Sequence, residues 1–206
     1  MIAIIDYGMG NLYSVSQTLK RMGHPVRVTS DPEVIRAADG VILPGVGAFG
    51  DAMMELKQRG LENVIKEEAR SGKPLLGICL GMQLLFTSSE EYGYHQGLNL
   101  LPGHVVRFEG DYNIPHMGWN ELRFTGPHPL FKGVEEGFVY FVHSYHVQAD
   151  NREDVLAVTD YHQPVTAIVG HNNLYGMQFH PEKSGEVGVQ LLERFAQLCK
   201  GKVGCK

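Results

Sequence analysis

Cysteine is scarce: three in 206 residues, at positions 79, 199 and 205. That is too few, and too widely spaced, for a disulfide framework or a thiolate metal site. No metal and no cofactor is expected. Basic residues are outnumbered, 18 Lys and Arg against 23 Asp and Glu for a net charge of −5. They form no cluster, which excludes a nucleic-acid footprint. No apolar run approaches the roughly 20 residues that cross a bilayer. The opening Met1-Ile-Ala-Ile-Ile-Asp6 has no basic leader and soon meets a carboxylate, so it reads as a first strand and not a signal peptide. A reducing cytoplasm is the expected location. What remains is ordinary globular material, 43% hydrophobic and 20% charged. The length suits a single domain, 1–206, and is too short for two of usual size.

The most informative stretch is residues 74–86, PLLGICLGMQLLF. Leu75, Leu76 and Ile78 form an apolar run of strand length, and from Leu80 the spacing turns helical through Leu84 and Leu85. Cys79 sits at the junction with Gly77 and Gly81 on either side. A strand that turns straight into a helix strains its apex and crowds its neighbours, which glycine relieves. The first N–H groups of a helix favour an anion, and a cysteine held there is made more acidic and more reactive. The N–H of Leu80 points to where an oxyanion would form. Taken alone, Cys79 could equally be a small buried hydrophobe.

Upstream, the pattern alternates. Strand 2–6 leads through Tyr7-Gly-Met-Gly-Asn11 to a helix with Leu12, Val15, Leu19 and Met22 on one stripe, ending at Gly23. Val26–Thr29 is a second strand, and Asp31-Pro32 caps a second helix. A third strand, Val41–Leu43, enters the glycine-rich loop 44–50. Leu61, Val64, Ile65 and Ala69 mark a helix before the central strand. Such alternation implies right-handed crossovers and a mostly parallel sheet covered on both faces. Sites in these sheets lie beyond the carboxyl ends of the strands, where loops 7–11 and 44–50 meet Cys79. Two glycines in loop 7–11 are an incomplete dinucleotide fingerprint.

After residue 88 the texture is β-rich: His104–Phe108, Trp119–Phe124, Phe138–Val142, Val155–Val158, Thr166–Val169 and Leu174–Phe179 read as antiparallel strands. A final helix carries Val187, Leu191, Phe195 and Leu198. Between them comes His180-Pro-Glu182. Proline keeps His180 extended, so His180 and Glu182 project to the same side, as a base and the carboxylate that orients it.

Together, Gly-Ile-Cys-Leu-Gly-Met-Gln at 77–83 and His180-Pro-Glu182 resemble both signatures of the class I (triad) glutamine amidotransferases, a likeness covering essentially the whole chain. It implies a three-layer, flavodoxin-like α/β fold with an added antiparallel part in the second half. More narrowly, four segments resemble the glutaminase subunits of imidazole glycerol phosphate synthases: Asp6–Leu12, Leu43–Phe49, Pro115–Asn120 and His143–His146. The resemblance implies Cys79 as nucleophile, His180 as proton shuttle and Glu182 as its orienter. Leu80, Val46 and Gly47 would bind the oxyanion, while Gln83, Ser144 and Tyr145 would recognise L-glutamine. It also implies a (β/α)8-barrel cyclase subunit as heterodimer partner in histidine biosynthesis, with Asn11, Met117, Trp119 and Lys183 as interface candidates. Length supports a partner too, since one domain leaves no room for a unit that consumes ammonia. Met117 and Trp119 could instead be plain core. Three alternatives stay open: a pyridoxal phosphate synthase glutaminase, a stand-alone cysteine amidase or peptidase, and a nucleotide-binding module with an inert Cys79.

Overall fold

The first half alternates as its hydrophobic pattern requires. Strand β1 (Ile2–Ile5) is followed by α1 (Leu12–Arg21), β2 (Val26–Thr29), α2 (Pro32–Ala37), β3 (Gly40–Gly45), α3 (Phe49–Gln58), α4 (Leu61–Arg70), β4 (Leu75–Cys79) and α5 (Leu80–Leu84). The second half holds β5 (Phe86–Ser89), β6 (His95–Gln96), β7 (Leu101–Arg107), β8 (His116–Glu121), β9 (Arg123–Phe124), β10 (Phe138–His143) and β11 (Tyr145–Ala149). Then come β12 (Val155–Asp160), β13 (Pro164–His171), β14 (Leu174–Met177) and α6 (Gly185–Lys200). The computed structural model describes residues 1–201, so Cys205 lies outside the described residues.

Local signals act where the sequence places them. Asp31 accepts the Glu33 N–H at 2.9 Å with Pro32 in the first turn of α2. Helix α1 ends just before Gly23, whose φ of 82° suits a helix stop.

The main sheet has eight strands in the order β2-β1-β3-β4-β14-β13-β12-β9. Strands β2, β1, β3, β4 and β14 run parallel, and β13, β12 and β9 extend the sheet antiparallel. Alternation along β1 divides the core. Ile2 and Ile4 pack with Val15 and Leu19 of α1 and with Leu191 and Phe195 of α6. Ala3 and Ile5 pack on the opposite face with Phe49 and Leu56 of α3 and with Leu61 and Ile65 of α4. The result is the expected three-layer α/β architecture. Each large apolar side chain so buried contributes about 1.5–3 kcal/mol. Two small sheets, β10-β8 and β11-β7-β5-β6, form the added β part.

Four details differ from the sequence reading. Strand β14 pairs parallel with β4, because all four of its residues are buried and it reads as a continuous apolar strand, not an alternating one. It also ends at Met177, two residues early. Strand β3 runs on through Pro44 and Gly45, held in register with Ile78 and Cys79. In α6 the buried face is Leu191, Leu192, Phe195, Ala196 and Cys199, with Val187 and Leu198 at its margin.

Candidate active site

Cys79 is the last residue of β4, and Leu80 begins α5. Its backbone, φ 55° and ψ −116°, lies where a residue with a side chain is strained by about 1–3 kcal/mol. The packing around it imposes that conformation. A Cβ on Gly81 would stand 1.8 Å from Leu43 O, and one on Gly77 2.5 Å from Gly81 O. No side chain fits at either place, so the two glycines allow the backbones of β3, β4 and α5 to touch. A helix of five residues carries little dipole, so help for an anion comes from individual N–H groups. The Leu80 N–H, first in the helix, has no acceptor within it.

The second half of the site arrives on β14. Met177 pairs with Ile78, which carries Gln178 to Glu182 in beside Cys79. His180 is extended before Pro181, at φ −94° and ψ 96°. Glu182 reaches it by a different route from the expected two-residue alternation: Pro181–Lys183 is a turn of 3-10 helix. His180 Nδ1 nonetheless lies 3.0 Å from Glu182 Oε1, and the carboxylate is fully buried. The His180 N–H donates to Tyr140 O at 3.1 Å, and Ser184 Oγ donates to His180 O at 2.6 Å. Glu182 Oε1 also accepts from Asn11 Nδ2 at 2.9 Å, while Oε2 has no partner among the described residues.

With Nδ1 held by Glu182, Nε2 of His180 is left for the thiol. Burial alone lowers the His180 pKa, but hydrogen bonds and charge from Cys79 and Glu182 more than reverse this and raise it to about 9. The site therefore favours a protonated imidazole between Cys79 and Glu182.

A cavity of about 260 Å³ opens over the sulfur. Val46, Gly47, Leu80, Gln83, Ser144 and Tyr145 line it together with Cys79 and His180. Gln83 gives both amide hydrogens away, to Tyr145 O and Gln178 Oε1, each at 3.0 Å. Only its carbonyl oxygen is left for a ligand, and that oxygen seeks a donor such as an α-ammonium.

A model of the class-I glutamine amidotransferases matches residues 3–198. The chain belongs to that family. Among its relatives, the imidazole glycerol phosphate synthase subunit HisH of Geobacillus sp. is 54% identical over 98% of this chain and 99% of that one. The subunit of the same name from Bacillus cereus is 56% identical over 95% and 93%. In the solved structures, a crystal structure of a glutamine amidotransferase superposes with a TM-score of 0.77 at 18% identity, covering 97% of this chain and all of that one. PurLQS from Thermotoga maritima gives 0.77 at 19% identity, over 96% and 97%. These two bear on the fold alone.

Three residues that the sequence reading did not single out also lie in or beside this glutamine amidotransferase cavity. Glu91 lines the cavity and accepts the Phe49 N–H at 2.8 Å; burial, the largest influence, raises its pKa. It lies in a run of polar turn residues, Glu90 to Gly93, which looks like solvated surface. His143 also lines the cavity and is kept neutral by burial and by nearby histidines, its pKa pushed down to about 3. Gln178, fully buried, donates to Cys79 Sγ at 3.9 Å. In sequence it was only the residue before Phe179.

The interface candidates separate. Met117 and Trp119 are 61% and 54% exposed on β8, so they are not core. Lys183 is exposed beside Glu182. Asn11 points inward to Glu182. Loop 7–11 makes no phosphate cradle: Tyr7 is buried with its hydroxyl on Pro44 O at 2.8 Å, and Gly10 packs against the Pro44 ring.

Proposed function

We propose that this chain is the glutaminase subunit of an imidazole glycerol phosphate synthase, working in histidine biosynthesis beside a (β/α)8-barrel cyclase. It hydrolyses L-glutamine to glutamate and ammonia and passes the ammonia on. One observation carries the chemistry: a strained, buried cysteine and a His-Glu pair meet at the floor of a cavity of amino-acid size. The near-full-length relatives named as that synthase's subunit carry the choice among amidotransferases. They weigh against the pyridoxal phosphate synthase reading.

Cys79, as thiolate, attacks the side-chain amide carbon. The oxyanion is held by the Leu80 N–H and by donors from Val46 and Gly47. His180 gives its proton to the leaving nitrogen, ammonia departs and a glutamyl thioester remains. His180 then takes a proton from water, which attacks the thioester; the C–S bond breaks and glutamate leaves. Glu182 holds the imidazole in the Nδ1–H form and favours its cation, as the carboxylate of a catalytic triad does. Gln83 and Glu91 suit the α-ammonium of glutamine, and Ser144 and Tyr145 complete the pocket. Residues 1–206 act as one glutaminase domain, consistent with two cores packed on one sheet. Trp119, Met117 and Lys183 face the cyclase, and Asn11 links that face to Glu182. A reducing cytoplasm suits a thiolate nucleophile.

Free ammonia is protonated in neutral water, so an uncoupled glutaminase would waste its product. Loop 44–50 is the natural control, since Gly47 sits at φ 95° against Met9 and Val46 is 42% exposed. The test is glutamate release by the free chain, by the complex with the cyclase, and by the complex with its nucleotide ligand. The last is expected to exceed the first by about 10² to 10³, the worth of one oxyanion donor. Equal rates within about threefold would remove the coupling, and no glutamine hydrolysis in any arm would remove the function.

A further inference from the structure

A carbonyl oxygen can only accept hydrogen bonds, and one of them sets the direction of an amide chain that ends on the nucleophile. Tyr145 O accepts from Gln83 Nε2 at 3.0 Å and from His143 Nδ1 at 2.8 Å. The amide nitrogen of Gln83 therefore faces Tyr145, and its second hydrogen goes to Gln178 Oε1 at 3.0 Å. With its oxygen taken, Gln178 has only its Nε2 to turn toward Cys79 Sγ, 3.9 Å away. Reversing Gln83 would set oxygen against oxygen, and reversing Gln178 would set nitrogen against nitrogen, where Gln83 is 4% exposed and Gln178 is 0% exposed. In such surroundings a mismatch is not screened. The backbone is pinned as well, because the Gln178 N–H donates to Ala167 O at 2.9 Å.

We propose that Gln178 is a built-in hydrogen-bond donor to the Cys79 sulfur that stabilises its anionic form, and that Gln83 is a positioning residue that fixes the direction of this donor. The other polar groups around the cavity cannot do the same work throughout the cycle. His180, backed by Glu182, gives its proton away when ammonia leaves. Tyr7 lies near the sulfur, its pKa raised by burial and then by Cys79, and its hydroxyl hydrogen is given to Pro44 O. His143 is spent on Tyr145 O. Gln178 alone of these keeps an N–H on the sulfur both when the thiolate attacks and when it is expelled from the thioester with the electron pair of the C–S bond. The consequence for turnover rests on the glutaminase reading, whereas the donor itself does not.

The experiment is alkylation of Cys79 by iodoacetamide in the full free chain without glutamine, read by mass spectrometry of the Cys79 peptide across pH. Gln178→Met keeps the length of the side chain and removes the donor. Its alkylation is expected to be about tenfold slower near pH 7, the worth of a hydrogen bond to a charged group, and to converge with wild type at high pH. Gln83→Met frees Gln178 to turn over and should give a smaller change of the same shape. A Gln178→Met profile that superimposes on wild type, or that is lowered equally at every pH, would overturn the proposal. Should Gln178→Met fail to fold, the side-chain amide NMR signal of Gln178 in the wild-type chain decides. It should move with pH in wild type and stay fixed in Cys79→Ala; no movement in wild type overturns the donor. If alkylation behaves as expected but glutamine is not hydrolysed, the donor stands and the glutaminase reading falls.

Discussion

Replacing Glu182 by Gln removes a charge from the site and almost no volume. Glu182 Oε1 accepts from both His180 Nδ1 and Asn11 Nδ2, and a glutamine oxygen in the same place can accept both. The imidazole therefore keeps its tautomer, and only the electrostatic support of the imidazolium is lost. That support is visible in the His180 pKa, raised to about 9 against the pull of burial by Cys79 and Glu182 together. Exchanging a charged for a neutral acceptor weakens such a bond by about 1–2 kcal/mol, or about five- to thirtyfold. Turnover of Glu182→Gln should fall by about five- to thirtyfold, far less than the several orders of magnitude that follow loss of the nucleophile. The pH profile gives the sharper check. Expelling ammonia needs protonated His180, so wild-type activity is lost as pH rises through about 9. With the carboxylate gone, the same limb should appear at lower pH. The assay is glutamate release in the cyclase complex at saturating glutamine. An alkaline limb at the wild-type position, or turnover as low as that of Cys79→Ala, would refute the role given to Glu182.

Cys79→Ala should abolish glutamine-dependent synthesis while ammonium salt still supports it in the complex; residual glutaminase above about a hundredth of wild type would remove Cys79 as nucleophile. Gly81→Ala should be nearly as damaging, because its Cβ would fall 1.8 Å from a backbone oxygen, and wild-type turnover in that variant would disprove the tight elbow. The stability contributed by His180 should be fully present below its unfolded value near 6.5 and lost as pH rises through about 9, since the folded pKa is the raised one. Denaturant unfolding of wild type and His180→Asn should converge over that window, and a gap that widens would contradict the sign. Cys199→Ser should leave turnover unchanged and lower thermal stability, because the sulfur is buried against Gly40; a tenfold loss of turnover would point to a thiol role.

Much of this protein was legible in its sequence, wherever the cause of a structure is local. Apolar spacing set α1, α4 and the parallel strands, Asp31-Pro32 set a helix start, and Gly-x-Cys-x-Gly announced an apex whose neighbours leave no room for a Cβ. Pro181 kept His180 extended. These follow from sterics and hydrogen bonding within a few residues of chain. Only the tertiary structure decided what stands opposite Cys79. Strand β14, about 100 residues further on, pairs with β4 through interactions that no spacing rule encodes, and its continuation brings Gln178, His180 and Glu182 to the sulfur together. The same is true of Glu91, a polar residue in an unremarkable stretch, and of His143, whose segment stood out but whose role did not; both line the cavity. A strand that reads as antiparallel, β14, was misjudged because periodicity reports which residues are buried, and it does not report which element covers them.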